Sequence, residues 1–383
     1  MKHKPIKIRK IYLISSFLIL ILGFFLTLIL ANREAGEYEE TQRNAMERME
    51  RAEAYIKERI IEKGIEIEEI DLNKTGLIGP EFTELTSTMG EIGAKRSTLN
   101  PEFAAMMIRY FKEAGLKEGD KIAIGASGSF PGLLIATLVA SSEMKLQAKV
   151  IASLGASTYG ATRVEYNIYN ILEDLKESKE ADFSLVGVSM GGEGDKGGGA
   201  MEGFLYDGSK ELSHNLSKEE ADKTGAVFIY EDTLSESIER RLDLYGENIK
   251  LFINIGGAST NLGTGSYSLD FPPGLIMGID KIPEGKDRGL IFEYMDKGIP
   301  VINLLSIKKI CQMNSIVFDP YPLPTSSSFS YTSITYNKAI IIVTLLSAFS
   351  ILLVGVISSK KAEKRKEKKI IDRVSSLSME PFR

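Results

Sequence analysis

Two uncharged apolar runs near the ends of the chain constrain it more than anything between them. Ile11 to Ala31 is twenty-one residues without a charge, and Ala339 to Ile357 is a further nineteen. A helix rises about 1.5 Å per residue, so either run can cross the roughly 30 Å hydrocarbon core of a bilayer. Lys2, Lys4, Lys7, Arg9 and Lys10 precede the first run, and a cluster from Lys360 to Arg373 follows the second. Basic flanks are retained in the cytoplasm. The pattern therefore predicts a two-pass protein of the cell membrane with both termini cytoplasmic and its main domain extracytoplasmic. "LILANREAG" has no A-x-A cleavage pattern and the run is long for a signal peptide, so the first span is expected to stay as an anchor.

The divisions that follow are a basic cytoplasmic tail over 1–10, a transmembrane helix over 11–31, and a juxtamembrane helix with its connector over 32–84. An α/β domain is expected over 85–324, a linker over 325–338, the second transmembrane helix over 339–357 and a second basic tail over 358–383. The only cysteine is Cys311, so no disulfide can form within the chain and stability must come from core burial. The formal charge of −5 includes the basic tails, which leaves the outer region more acidic than the whole. Nucleic acid is excluded as a partner class on that balance.

Within the outer region, "EETQRNAMERMERAEAYIKERIIEK" places Ala45, Met49, Ala52, Ile56 and Ile60 at helical spacing among charges, an amphipathic helix. Its stripe is expected to pack on its own domain, with a dimer seam as the alternative. A second helix is announced by Asn100 as cap, Pro101 at the first position and Gly115 near the end. Then "KIAIGASGSF", "AKVIASLGAS", "DFSLVGVSMGG", "AVFIYED", "KLFINIGGAST" and "IPVINLL" alternate with helical stretches. Short apolar runs in that rhythm indicate a mostly parallel sheet with helices on both faces, a Rossmann-like arrangement.

Three strands are expected to finish in the same tripeptide, at Gly125-Ala126-Ser127, Gly155-Ala156-Ser157 and Gly257-Ala258-Ser259. A fourth ends in Ser189 and runs into "GGEGDKGGG", six glycines in the nine positions from Gly191 to Gly199. Parallel strands bring their carboxyl ends to one edge, where open α/β sheets bind ligands. Bare N–H groups and hydroxyls converging there suit a carboxylate or phosphate. The candidate binding residues are Ser129, Ser157, Thr158, Ser189, Gly191, Gly192, Gly194, Asp195, Ser259, Thr260 and Asn261, and Ser127, Ser157, Ser189 and Ser259 are expected to face one cavity. Arg163 reads equally as a fixed fork for the anion and as a solvated charge. Lys95 and Arg96 are further cations, with Lys95 expected to be solvated.

Other chemistries fit less well. Gly192, Gly194 and Gly197 match GxGxxG, but the next acids, Glu231 and Asp232, fall about forty residues on where a dinucleotide site expects roughly twenty. The only histidines are His3 and His214, and Asp195 with Glu193 is a thin ligand set for a hard cation, so neither metal nor cofactor is expected. "GASGSF" is close to the G-x-S-x-G nucleophile elbow, with Ser129 in the last glycine position. Ser127 is accordingly the candidate nucleophile of the alternative class, a serine hydrolase or transpeptidase, with His214 as the only base to hand.

"KRSTLNPEFAAMMIRYFKEAGLKEGDKIAIGASGSFPGL", "IASLGASTYGAT", "GGEGDKGGG", "INIGGASTNLG" and "GIPVINLLSI" together resemble the poly-gamma-glutamate system protein family over roughly Leu85 to Pro324. The resemblance implies a membrane-anchored accessory component of a poly-gamma-glutamate biosynthesis and export system. Its implied partners are the synthase membrane subunits and the polymer itself, released or kept as a capsule. It brings no catalytic residues. Both lines of reading meet in a rim able to hold carboxylates.

Overall fold

A computed structural model describes residues 8–35, 37–198, 206–268, 271–285, 288–329 and 332–377. His3 and Gly199 lie outside them. The chain divides into two compact units, one made of its ends and one of Tyr38–Phe329.

In the unit formed by the ends, helices Lys10–Ile29 and Lys338–Leu377 are long and apolar enough to cross a membrane. They pack on each other at small residues. The Ser16 hydroxyl donates to the Ala348 carbonyl at 3.2 Å, and Gly23 lies so close to Thr344 that a Cβ would meet its side chain at 2.2 Å. Asn32–Ala35 pairs antiparallel with Thr332–Thr335, tying the chain as it leaves one helix to the chain as it approaches the other.

The larger unit is built on a seven-stranded sheet: β1 Lys121–Ser127, β2 Gln147–Ser153, β3 Ser184–Ser189, β4 Val227–Ile229, β5 Ile249–Ile255, β6 Gly274–Ile276 and β7 Val301–Leu304. The spatial order is β4-β3-β2-β1-β5-β7-β6, with every pair parallel except the edge strand β6. Its helices are α1 Glu39–Glu62, α2 Ile92–Ser97, α3 Glu102–Glu113, α4 Pro131–Glu143, α5 Ile168–Glu177, α6 Ser209–Thr224, α7 Leu234–Tyr245, α8 Ser259–Leu262, α9 Leu290–Asp296 and α10 Ile307–Asn314.

Side chains alternate across a strand, and each face of this sheet has its own core. Ile122, Ile124, Val150, Leu251 and Ile253 join one apolar cluster with α1, α3, α4, α5 and α10. Ala123, Ile151, Phe252 and Val301 join the other with α7 and α9. Helix α4 is apolar all round because the sheet covers one side and α1 and α3 the other. The stripe of α1 is buried at every expected position, against α3, α4 and α5. Burying residues such as Met49, Ile56 and Ile60 contributes roughly 1.5–3 kcal/mol each relative to exposure. This helix is therefore part of the domain core, as its spacing suggested. Helix α3 starts one residue later than the spacing suggests, with Pro101 in the cap position, and Asn100 Oδ1 accepts the N–H of its first residue, Glu102, at 3.0 Å. The connection from β1 runs one way along the sheet while β5, its neighbour, leads the other way, which opens a crevice beyond the carboxyl ends of both.

Candidate functional site

A cavity of about 310 Å³ opens at that crevice. Ser127 and Ser129 follow from β1, Ser153 and Gly155 from β2, Gly191 to Glu193 from β3, and Gly257 to Ser259 from β5. Ser87 and Thr88 complete it from the short strand Thr86–Thr88, which pairs with Ala156–Ser157. The wall is mainly hydroxyl and bare backbone. Among the described residues, no protein acceptor takes the N–H groups of Gly192, Gly257 or Ala258. These point to a ligand with acceptor oxygens.

From Gly191 to Gly197 the chain makes a turn in which it approaches itself, closed by the Gly197 N–H donating to the Gly191 carbonyl at 2.8 Å. Gly191 and Gly192 have φ of 69° and 73°, and a Cβ on either would meet backbone at 2.9 Å, Gly155 N in one case and Gly197 O in the other. Beneath it, Asp195 is 5% exposed and Arg241 1% exposed, paired at 2.9 Å. Asp195 Oδ1 accepts from the Ser189 hydroxyl at 2.7 Å, Oδ2 from the Ser237 hydroxyl at 2.8 Å, and Arg241 also donates to Ser189 Oγ at 2.8 Å. Since Ser189 spends its proton on Asp195, the 2.9 Å contact with Ser153 must have Ser153 as donor. The network anchors the turn and hands its orientation to a hydroxyl in the cavity wall.

Behind the serines lies a lysine. Lys95, expected to be a solvated charge, is instead 2% exposed. Its Nζ bonds the Ser129 carbonyl and Ser157 Oγ and stands 3.9 Å from the centre of the Phe130 ring. No carboxylate pairs with it among the described residues. Burial alone therefore lowers its pKa to about 7. The unfolded chain, with an ordinary lysine near 10.4, binds the extra proton between those values, so stability should rise with pH from about 7 to about 10. Lys95→Met is expected to remove that rise and to raise the melting temperature at pH 7. Thermal unfolding of both proteins at pH 7 and pH 9.5 checks this; equal slopes would contradict it.

The remaining candidates divide. Ser127, Ser129, Ser259, Gly191 and Gly192 line the cavity. Ser189 and Asp195 lie beneath it in the arginine network, so Asp195 is committed to Arg241 and is not a solvated or metal-ready carboxylate. Ser157 faces Lys95, and Thr158 clamps Gly90 through bonds of 2.7 and 3.0 Å, so two of the four serines expected in one cavity line it and two support it. Gly194 has φ of 60° in the same turn. Asn261 is a core residue, bonding the Gly125 carbonyl and Asn254 at 2.9 Å each, and Thr260 is buried beside it. Arg163 is a fixed fork aimed elsewhere. It binds the Gly76 carbonyl at 3.0 Å and Glu66 and Glu68 at 3.3 Å, holding the connector after α1. Arg96 binds Asp319 at 2.7 and 2.5 Å.

Ser127 is 4% exposed and its hydroxyl accepts from Ser129 N–H at 3.4 Å. His214 lies on α6 with its ring edge-on to Phe228 and Tyr230 and Nδ1 against Asn215. The two do not bond, so among the described residues Ser127 has no histidine base. Compared with known proteins, the chain matches no protein-family model and no curated protein.

Proposed function

We propose that the chain is a membrane-anchored accessory component of a poly-gamma-glutamate synthesis and export system, whose Rossmann-like α/β domain lies outside the cytoplasm and binds carboxylates of the polymer. The observation that carries this reading is the cavity itself: hydroxyls and open N–H groups over a buried lysine with no acid paired to it among the described residues. Such a site lacks one negative charge. The resemblance in the strand-end motifs supplies the pathway, and the basic flanks of the two apolar helices supply the orientation. The acidic balance of the outer region opposes approach of a polyanion, so local donors have to hold it. Removing the gene while keeping the rest of the system is expected to reduce the polymer found outside the cell. Unchanged amount and chain length would count against the proposal.

A further inference from the structure

We infer that the cavity takes up one proton with each anion it binds, and that the proton resides on Lys95 Nζ. This rests on the anion-binding reading of the cavity and adds a linkage to it. Lys95 is held by a carbonyl, a hydroxyl and an aromatic face, a set that serves either protonation state. As a neutral amine it has two N–H donors and one lone pair. The donors go to the Ser129 carbonyl and toward the Phe130 ring, and the lone pair accepts the Ser157 hydroxyl proton. As an ammonium it donates to Ser157 Oγ instead, which releases the Ser157 hydrogen. Protonation therefore reverses one hydrogen bond without requiring any side chain to leave its place.

Electrostatics sets the direction. A buried ammonium without a counter-charge is costly, and an anion in the adjoining cavity is the counter-charge it lacks. Other charges around it are few or engaged. On α2, Arg96 is paired with Asp319 and Glu91 lies at the start of the helix. From the elements packed on α2, Lys308 stands over the Phe318 ring. The segments Thr86–Gly90 and Ser127–Pro131 carry no titratable side chain, and Ala156–Gly160 carries only Tyr159. Glu193 lines the cavity and is exposed. Its negative charge opposes the anion, so the proton on Lys95 also offsets a repulsion the ligand meets at the rim. The balance is one free anion and one solvent proton against one bound anion and one ammonium.

The test is calorimetric titration of penta-gamma-glutamate into the full-length protein in detergent, at pH 8 in two buffers of different ionisation enthalpy. With its α-amino group acetylated the peptide carries only carboxyl groups, which are ionised throughout this range, so the buffer dependence counts protons taken up by the protein. Close to one proton per bound peptide is expected at pH 8, falling toward zero at about pH 6, with affinity dropping up to about tenfold per pH unit above 7. Lys95→Met should remove the uptake. Binding with the same heat in both buffers, or uptake that persists in Lys95→Met, would overturn the linkage and leave the proposed function standing. Absence of binding at both pH values would overturn both.

Discussion

Arg241→Ala is expected to destabilise the α/β domain by about 3–5 kcal/mol, the cost of leaving a buried carboxylate without its partner. Arg241 and Asp195 are nearly enclosed, and the arginine also satisfies Ser189, Ser237 and, through Ser189, the hydroxyl of Ser153. Removing it strands Asp195 beneath a turn whose backbone depends on it. Arg241→Met combined with Asp195→Asn should cost less than the sum of the two single changes, because the stranded charge is gone. Denaturant unfolding followed by circular dichroism reads the wild type and the four variants. Additive losses, or a single change costing under about 1 kcal/mol, would mean the pair is solvated.

Six of the seven strands fall where the spacing puts them: β1, β2, β3 and β5 are legible as apolar runs leading into glycine and serine, and β4 and β7 as short apolar runs between helical stretches. Strand β6 has no signal of its own, because "PPGLIMG" is too short to show alternation and its pairing is decided by Val301 to Asn303 across the sheet. Charge was harder to read. "GAKRST" offers two adjacent cations, and neighbouring helical residues point about 100° apart, so Lys95 turns inward while Arg96 turns out to Asp319. "IERRLDLY" repeats the lesson: Arg240 is exposed and Arg241 is enclosed. Helical spacing puts Lys95 on one face with Ile92 and Leu99, and Arg241 with Ile238 and Tyr245, but a charge on such a stripe reads as its edge until the packing shows it enclosed. For Arg163 the sequence leaves a fixed fork and a solvated charge equally open; the structure fixes it, but on a connector about ninety residues earlier, with Glu68 at a separation of 95. Ser87 and Thr88 enter the cavity only because Thr86–Thr88 pairs with Ala156–Ser157, a contact without a periodic signal.

The glycine turn gives the second large effect. Gly192 combines φ 73° with ψ −167°, a conformation closed to residues with a side chain, and a Cβ there meets the Gly197 carbonyl. Gly192→Ala should shift the turn and with it a cavity wall, losing ligand binding at a stability cost of about 1–3 kcal/mol. Gly194 has φ 60° and ψ 15°, and its nearest neighbour to an added Cβ is Lys196 Cγ at 4.0 Å. Gly194→Ala should cost about 1 kcal/mol and keep binding. The measurement that bears most directly on the account is therefore equilibrium binding of labelled penta-gamma-glutamate to the full-length protein in detergent at pH 7. Saturable binding is predicted for the wild type and Gly194→Ala, with a loss of at least about tenfold, 1.4 kcal/mol, in Lys95→Met and Gly192→Ala. No binding by the wild type, or equal binding by all four proteins, would contradict the assignment of this cavity to a carboxylate ligand.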